Sequence, residues 1–332
     1  MNQLIDKHGR TINYLRMAVT DRCNLRCQYC MPATGNDFVE RKQLLSYKEM
    51  YRITRVLSDL GITKIRLTGG EPFVRTDFIN FLQMLSFNDK LEEINITTNG
   101  VLLYKYLPEL ENLGKIKHIN LSLDTLKADK FRTITRMDVF DRVMQSFDYL
   151  KNSNQLKLKV NFVVQSGINT DEIIDFIELT KDKAISVRFI EEMPFNGVGL
   201  KDYKQTWDYE TILNHINKHY QEITPLVSKK SSTSVNFSLP SYKGSFGIIP
   251  AFTRTICHDC NRIRITSTGN FKNCLFDEGV FSVRDFLRKG VSDNDLKELF
   301  IKTVHQKPAN GFIAEQSRAN KNISESMSNI GG

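Results

Sequence analysis

The chain has 332 residues, 46 Lys and Arg against 38 Asp and Glu, and a formal charge of +8. Hydrophobic residues make up 40% and charged residues 25%, proportions of a globular chain that exclude a disordered or collagen-like polymer. The longest apolar runs, such as 248–252, are far too short to cross a bilayer, and the charged opening 1–10 lacks the apolar stretch of a signal peptide, so a cytoplasmic protein is expected.

Strands are predicted at 14–19, 64–68, 93–97, 118–123, 157–164 and 185–190, most of them rich in Ile, Val, Leu and Phe as in a parallel sheet covered on both faces. Helices fall between them. The clearest opens at Ser46, with Glu49 three residues on, and stops at Gly61, which reads as a capping box and a C-terminal glycine. Others are predicted at 76–86, 104–113, 138–151 and 169–182. Six strands alternating with helices predict a parallel α/β barrel or part of one, with a doubly wound open sheet as the alternative. After Met193 the rhythm breaks. A helix near 207–219, a polar loop at 228–234, short strands, a hairpin at 267–270 and helices near 282–288 and 292–305 follow. The polar tail from 314 ends in Ile330-Gly331-Gly332 and is expected to be mobile when nothing binds it.

Six cysteines form two tight groups, Cys23, Cys27 and Cys30 near the start and Cys257, Cys260 and Cys274 near the end. In a reducing compartment such clustering favours metal or cluster ligation over disulfides. The first group, in the spacing CxxxCxxC, follows directly on the first strand, where βα barrels place their chemistry. Three thiolates can wrap one face of a 4Fe-4S cluster and leave one iron open. A zinc ion would need a fourth ligand, and His8 is the only His before the motif. An open iron suits a small chelating molecule such as S-adenosylmethionine, with Tyr29 placed to lie near its adenine. The next strand ends in Thr68-Gly69-Gly70-Glu71-Pro72, where glycines admit close backbone contact with a ligand. Further strand ends at 97–100, 122–124 and 191–193 should rim the same mouth. Ser122 could bond a ribose or carboxylate there, and Met193 could offer its backbone to adenine.

The second group again offers three thiolates, with a second open cluster and a structural zinc as the two readings; His258 lies unpromisingly inside the pair. Beside it runs Arg262-Ile263-Arg264. Strand alternation aims both guanidinium groups to one side, which suits a polyphosphate.

The motifs 20–32 (TDRCNLRCQYCMP), 66–72 (RLTGGEP), Cys257-x-x-Cys260-Asn261-Arg262-Ile263-Arg264 and Cys274-Leu275-Phe276, with the Gly331-Gly332 end, together resemble one family. It is the GTP 3′,8-cyclases of molybdenum-cofactor biosynthesis (molybdenum cofactor biosynthesis protein A), within the radical S-adenosylmethionine superfamily. The resemblance implies an incomplete (β/α)6 TIM-like barrel over 1–195, closed by a C-terminal segment, 196–332, that carries a second iron–sulfur cluster. It implies two 4Fe-4S clusters on the six cysteines, with S-adenosylmethionine on Tyr29, Gly70, Ser122 and Met193. GTP would contact Arg16, Arg66, Thr97, Lys159, Arg262 and Arg264, its guanine at the open iron of the second cluster. The implied reaction forms a 5′-deoxyadenosyl radical that takes the ribose 3′ hydrogen, after which C3′ joins guanine C8. Gly331 and Gly332 would enter the barrel and assist that conversion. Implied partners are an electron donor, a second copy in a homodimer, and cyclic pyranopterin monophosphate synthase as the enzyme that takes the product, with no nucleic acid and no membrane. The competing classes are a peptide-modifying radical enzyme, which usually carries more C-terminal cysteines, and a zinc-bound nucleic-acid module. Lys and Arg spread along the whole chain argue against the latter.

Overall fold

The computed structural model describes residues 3–193, 205–227, 230–318 and 327–331. The six predicted strands form as β1 (Tyr14–Ala18), β2 (Lys64–Thr68), β3 (Glu93–Thr98), β4 (Ile116–Ser122), β5 (Lys157–Val164) and β6 (Ser186–Glu191). They lie side by side in chain order, and every pair is parallel. That order is the singly wound path of a TIM-like barrel; a doubly wound sheet would reverse direction at its middle. The later strands are β7 (Thr224–Pro225), β8 (Val235–Ser238), β9 (Ser245–Ile249), β10 (Arg262–Ile265), β11 (Asn270–Lys272) and β12 (Phe281–Ser282). β9 joins β6 and β10 joins β1, both parallel, while β7, β8, β11 and β12 add antiparallel edges. The result is a mixed sheet of twelve strands.

The helices α1 (Tyr47–Asp59), α2 (Phe78–Ser86), α3 (Leu107–Asn112), α4 (Ala128–Thr135), α5 (Phe140–Asn152) and α6 (Ile173–Glu178) follow successive strands. Ser46 and Glu49 make the reciprocal cap of α1, and Gly61 ends it at φ +95°, as the sequence predicts. The predicted helix at 104–113 is instead a 3-10 turn, Leu103–Tyr106, followed by α3. Pro108 cannot donate a helical hydrogen bond, so the α-helix begins beside it. Helix α4 was not predicted, because only Phe131 and Ile134 among its apolar residues mark a buried face.

Period two divides each barrel strand. Leu15, Met17, Ile65, Leu67, Ile94, Ile96, Val160, Phe162, Val187 and Phe189 are buried in the apolar core. The alternate residues, among them Arg16, Arg66, Asn95, Asn120, Lys159 and Arg188, are polar and face the barrel interior. The core therefore sits in the layer of helices around the sheet, and the interior is left for chemistry.

After the barrel helices come α7 (Tyr209–Asn217), packed on β9, α8 (Val283–Arg288), packed on β11, α9 (Asp293–His305), packed on α1 with Phe300 against Phe271 of β11, α10 (Gly311–Gln316), and α11 (Met327–Ile330), packed on β1. The expectation of a mobile tail fails for its described end. Ser328, Ile330 and Gly331 are buried, because Ser267 holds Asn329 through both side chain and backbone and Asn36 donates to Ser328. No helix among the described residues is long and apolar enough to cross a membrane.

Candidate active site

One cavity of about 340 Å³ opens at the C-terminal ends of the strands, and all six cysteines line it. The two triads, more than 220 residues apart in sequence, thus face one space. None of the six forms a disulfide.

The first triad sits in the loop after β1, and α4 frames it. The Arg26 and Gln28 amides, on either side of Cys27, donate to Thr135 and Ile134 carbonyls at 3.0 Å. Arg136, which caps α4 in the left-handed region, donates to the Arg26 and Met31 carbonyls at 2.8 and 3.1 Å. The Gly69-Gly70 turn presses on the same loop from β2. A Cβ at Gly69 would lie 2.2 Å from the Thr20 carbonyl oxygen, and one at Gly70 2.2 Å from that of Arg22. The two glycines are thus required by backbone packing as well as by any ligand. Glu71 is fully buried and accepts from the Phe73 and Asn99 amides and the Thr98 hydroxyl; burial pushes its carboxyl up to about 7 despite those bonds.

Tyr29 donates its hydroxyl to Asp124 at 2.8 Å, and Asp124 also accepts from the Val163 amide. Burial pushes Asp124 up to about 6. Burial likewise raises the first triad, Cys23 to about 11 and Cys30 to about 12, with nearby Glu71 and Cys23 adding to it respectively. The second triad has a different setting. For Cys260 burial is opposed and outweighed by Lys307, Arg262 and Arg10, which bring the thiol down to about 6.

Both Arg262 and Arg264 line the cavity, as alternation predicts, and Arg264 pairs in register with Arg16, which pairs with Arg66. Arg16, Arg66, Lys159, Arg188, Arg262 and Arg264 have no carboxylate in an ion pair among the described residues. Burial disfavours the charge on Arg16, and Arg264 and Arg66 add repulsion. Its Nε and that of Arg188 are buried without a hydrogen-bond acceptor. Asn120, with its amide oxygen turned toward Arg66, accepts from Nη2 and Nε at 3.1 and 3.2 Å. Such a concentration of unpaired guanidinium groups fits a polyanion.

Of the other predicted residues, Thr97, Ser122, Gly70, Tyr29 and Met193 all line the cavity. Lys159 does not. It lies deeper on the interior face, paired in register with Asn120 and Ser186, and burial with Arg188 and Arg66 pushes it down to about 6. Gly331 lies in the barrel mouth, its carbonyl accepting from Arg264 at 2.9 Å, at φ +82° where a Cβ would lie 2.4 Å from Thr68. Gly332 lies outside the described residues. Glu191 proves structural: it is 1% exposed and accepts from the Tyr209, Phe252 and Thr253 amides and the Thr253 hydroxyl. Removing its carboxylate would leave the three amides and the Thr253 hydroxyl without their acceptor, at about 1–3 kcal/mol for each donor kept from water.

Sequence reading missed Arg188 and Tyr14, and it gave Asp124 only as part of a strand end at the rim, without its bond to Tyr29. Arg188 sits in an apolar run, and only its register with Asn161 shows that it faces inward. Tyr14 lies among Lys64, Arg16 and Arg66, whose cations stand 5.1 to 5.8 Å from its ring centre.

The donor set fits iron–sulfur ligation at the first triad. The Leu25 amide and the Asn99 side-chain amide donate to the Cys23 sulfur at 3.4 and 3.7 Å, and the Ser328 amide bonds Cys30. Such N–H···S bonds stabilise and tune cluster thiolates.

The family model "Radical SAM superfamily" matches residues 17–180, and "Molybdenum Cofactor Synthesis C" matches 185–313. The structure of Streptococcus suis SuiB aligns with a TM-score of 0.62 at 18% identity, covering 93% of this chain and 69% of that one. Fold, cysteine loop and family model together define a radical S-adenosylmethionine protein. Two curated relatives narrow the class. A mitochondrial GTP 3′,8-cyclase of Arabidopsis thaliana is 43% identical over 308 residues, 93% of this chain and 78% of the relative. A GTP 3′,8-cyclase of Thermodesulfovibrio yellowstonii is 41% identical over 306 residues, covering 91% and 94%. The chain belongs to the GTP 3′,8-cyclase family.

Proposed function

We propose that this chain is the GTP 3′,8-cyclase of molybdenum cofactor synthesis, converting GTP to (8S)-3′,8-cyclo-7,8-dihydroguanosine 5′-triphosphate with both cysteine triads serving one substrate. The observation that carries this reading is the single cavity lined by both triads and the unpaired arginines. Cys23, Cys27 and Cys30 hold one 4Fe-4S cluster, and Cys257, Cys260 and Cys274 hold a second. When bound, the first cluster and S-adenosylmethionine supply the one-electron chemistry that opens the C3′–H bond. Tyr29, Gly70, Ser122 and Met193 seat S-adenosylmethionine. Arg16, Arg66, Lys159, Arg262 and Arg264 hold the triphosphate, with Thr97 beside it, and Arg188 faces the same space. These groups bind and orient the nucleotide; the apolar wall of Ile190, Ile249 and Pro250 excludes water.

In this reading residues 1–195 form the partial barrel, and 196–332 close it and carry the second cluster. The protein works in the cytoplasm as a homodimer, takes electrons from a separate donor and passes its product to cyclic pyranopterin monophosphate synthase.

Lys159 provides a test. Its depressed value in the free protein, about 6, means that it is largely neutral at pH 7.5. A triphosphate restores the ammonium, so binding takes up a proton, and affinity falls as pH rises above about 6. Titration calorimetry in buffers of different ionisation enthalpy should show proton uptake on GTP binding. Lys159→Met should reduce that uptake by about one proton. Equal uptake in both proteins would remove Lys159 from the phosphate site.

A further inference from the structure

Lys307 is 1% exposed. A lysine is almost never buried so completely unless it is paired, yet among the described residues no carboxylate forms an ion pair with it. Its Nζ instead donates to two backbone carbonyls, that of Arg262 at 2.9 Å and that of Asn273. Arg262 stands two residues after Cys260, and Asn273 immediately precedes Cys274. The next two residues complete the arrangement. The carbonyls of Pro308 and Ala309 accept from Arg10 at 2.7 and 2.8 Å, and Arg10 also donates to the Cys257 carbonyl at 3.3 Å. The short segment 307–309 is therefore tied to the backbone beside Cys260 and Cys274 and, through Arg10, to that of Cys257. The two cations differ in one respect. Arg10 is paired with Asp6 at 2.6 Å, whereas Lys307 forms no ion pair among the described residues and acts at longer range on Asp277, Cys260 and Cys274.

We infer that Lys307 is a positioning residue for the second cysteine triad, latching the segments that carry Cys260 and Cys274 and supplying a fixed positive countercharge to what the triad holds. This rests on reading that triad as an iron–sulfur site. A buried positive charge without a paired carboxylate is costly; Asp277 offsets part of that cost at longer range, and three sulfur ligands with their cluster supply further negative charge. Fixed positive charge near a cluster favours its reduced form.

The test uses the full chain with Cys23, Cys27 and Cys30 replaced by Ser, so that iron reports the second triad alone. With Lys307 intact, anaerobic reconstitution should load about four irons per chain. Lys307→Met removes latch and charge, and its iron affinity should fall at least about tenfold, since two charged hydrogen bonds are lost. Lys307→Gln keeps donors for the carbonyls without the charge. It should hold iron better than the Met variant, yet reduce at a lower midpoint potential than the parent in an EPR-monitored titration. Full loading of the Met variant would overturn the latch, and an unchanged midpoint in the Gln variant would overturn the countercharge. Should the Met variant melt early, the Gln midpoint decides alone. A parent that takes up no iron would show instead that the second-cluster reading is wrong, and the inference falls with it.

Discussion

Cys27→Ser should form no 5′-deoxyadenosine from S-adenosylmethionine, while the second triad keeps about four irons and the melting temperature stays near that of the parent. The sharpness of this result comes from the frame around Cys27. The Arg26 and Gln28 amides are held by α4, Arg136 holds the carbonyls of Arg26 and Met31, and the Cys27 carbonyl accepts from the Cys30 and Met31 amides at 3.0 Å. None of these bonds uses the sulfur. Serine therefore leaves the loop in place and removes one soft ligand from a set of three. Anaerobic chromatography of the cleavage products and iron analysis measure both halves of the prediction. Continued 5′-deoxyadenosine formation would mean that the first triad is not the site of cleavage.

Deleting Gly331 and Gly332 should collapse cyclic product formation while iron content, folding and GTP affinity stay near the parent values. The Gly331 carbonyl accepts from Arg264, and the Ser328 amide bonds Cys30, so α11 spans from the first triad to the arginine cluster of the cavity. The stability at stake is small: one charge-assisted hydrogen bond contributes about 1.5–3 kcal/mol at most. Gly331→Val tests the same position without shortening the chain. Positive φ and a Cβ 2.4 Å from Thr68 would drive the end out of the mouth. Nucleotide binding and product formation, measured on both variants, separate the outcomes. Full turnover would make the end a bystander, and loss of iron or folding would make it a structural strap.

The strands of the barrel were legible from their Ile, Val, Leu and Phe content, although only every second residue packs against the covering helices and most of the others are polar and face inward. Lys64–Thr68 and Lys157–Val164 begin and end where the sequence places them. Spacing singled out the two cysteine groups, which the structure brings to one cavity, and alternation placed Arg262 and Arg264 together on its wall. What escaped depends on register and on distant packing. Arg188 looks like one cation in an apolar strand until Asn161 is set beside it. Glu191 looks like a rim acid until three amides converge on it. The buried end of the tail contradicts its polar composition because Ser267 and Asn36, far away in sequence, supply its partners. Lys307 carries no motif at all, and only the fold brings it to the second triad.

The most direct test of the account is an anaerobic incubation of the reconstituted chain with GTP, S-adenosylmethionine and a one-electron reductant. The hydrogen lost from C3′ is replaced by a proton and an electron, so the product must be an isomer of GTP, formed in step with 5′-deoxyadenosine. Mass spectrometry after chromatography should show a new species of GTP mass, absent without S-adenosylmethionine. If 5′-deoxyadenosine accumulates and GTP is recovered unchanged, GTP is not the substrate of this cavity.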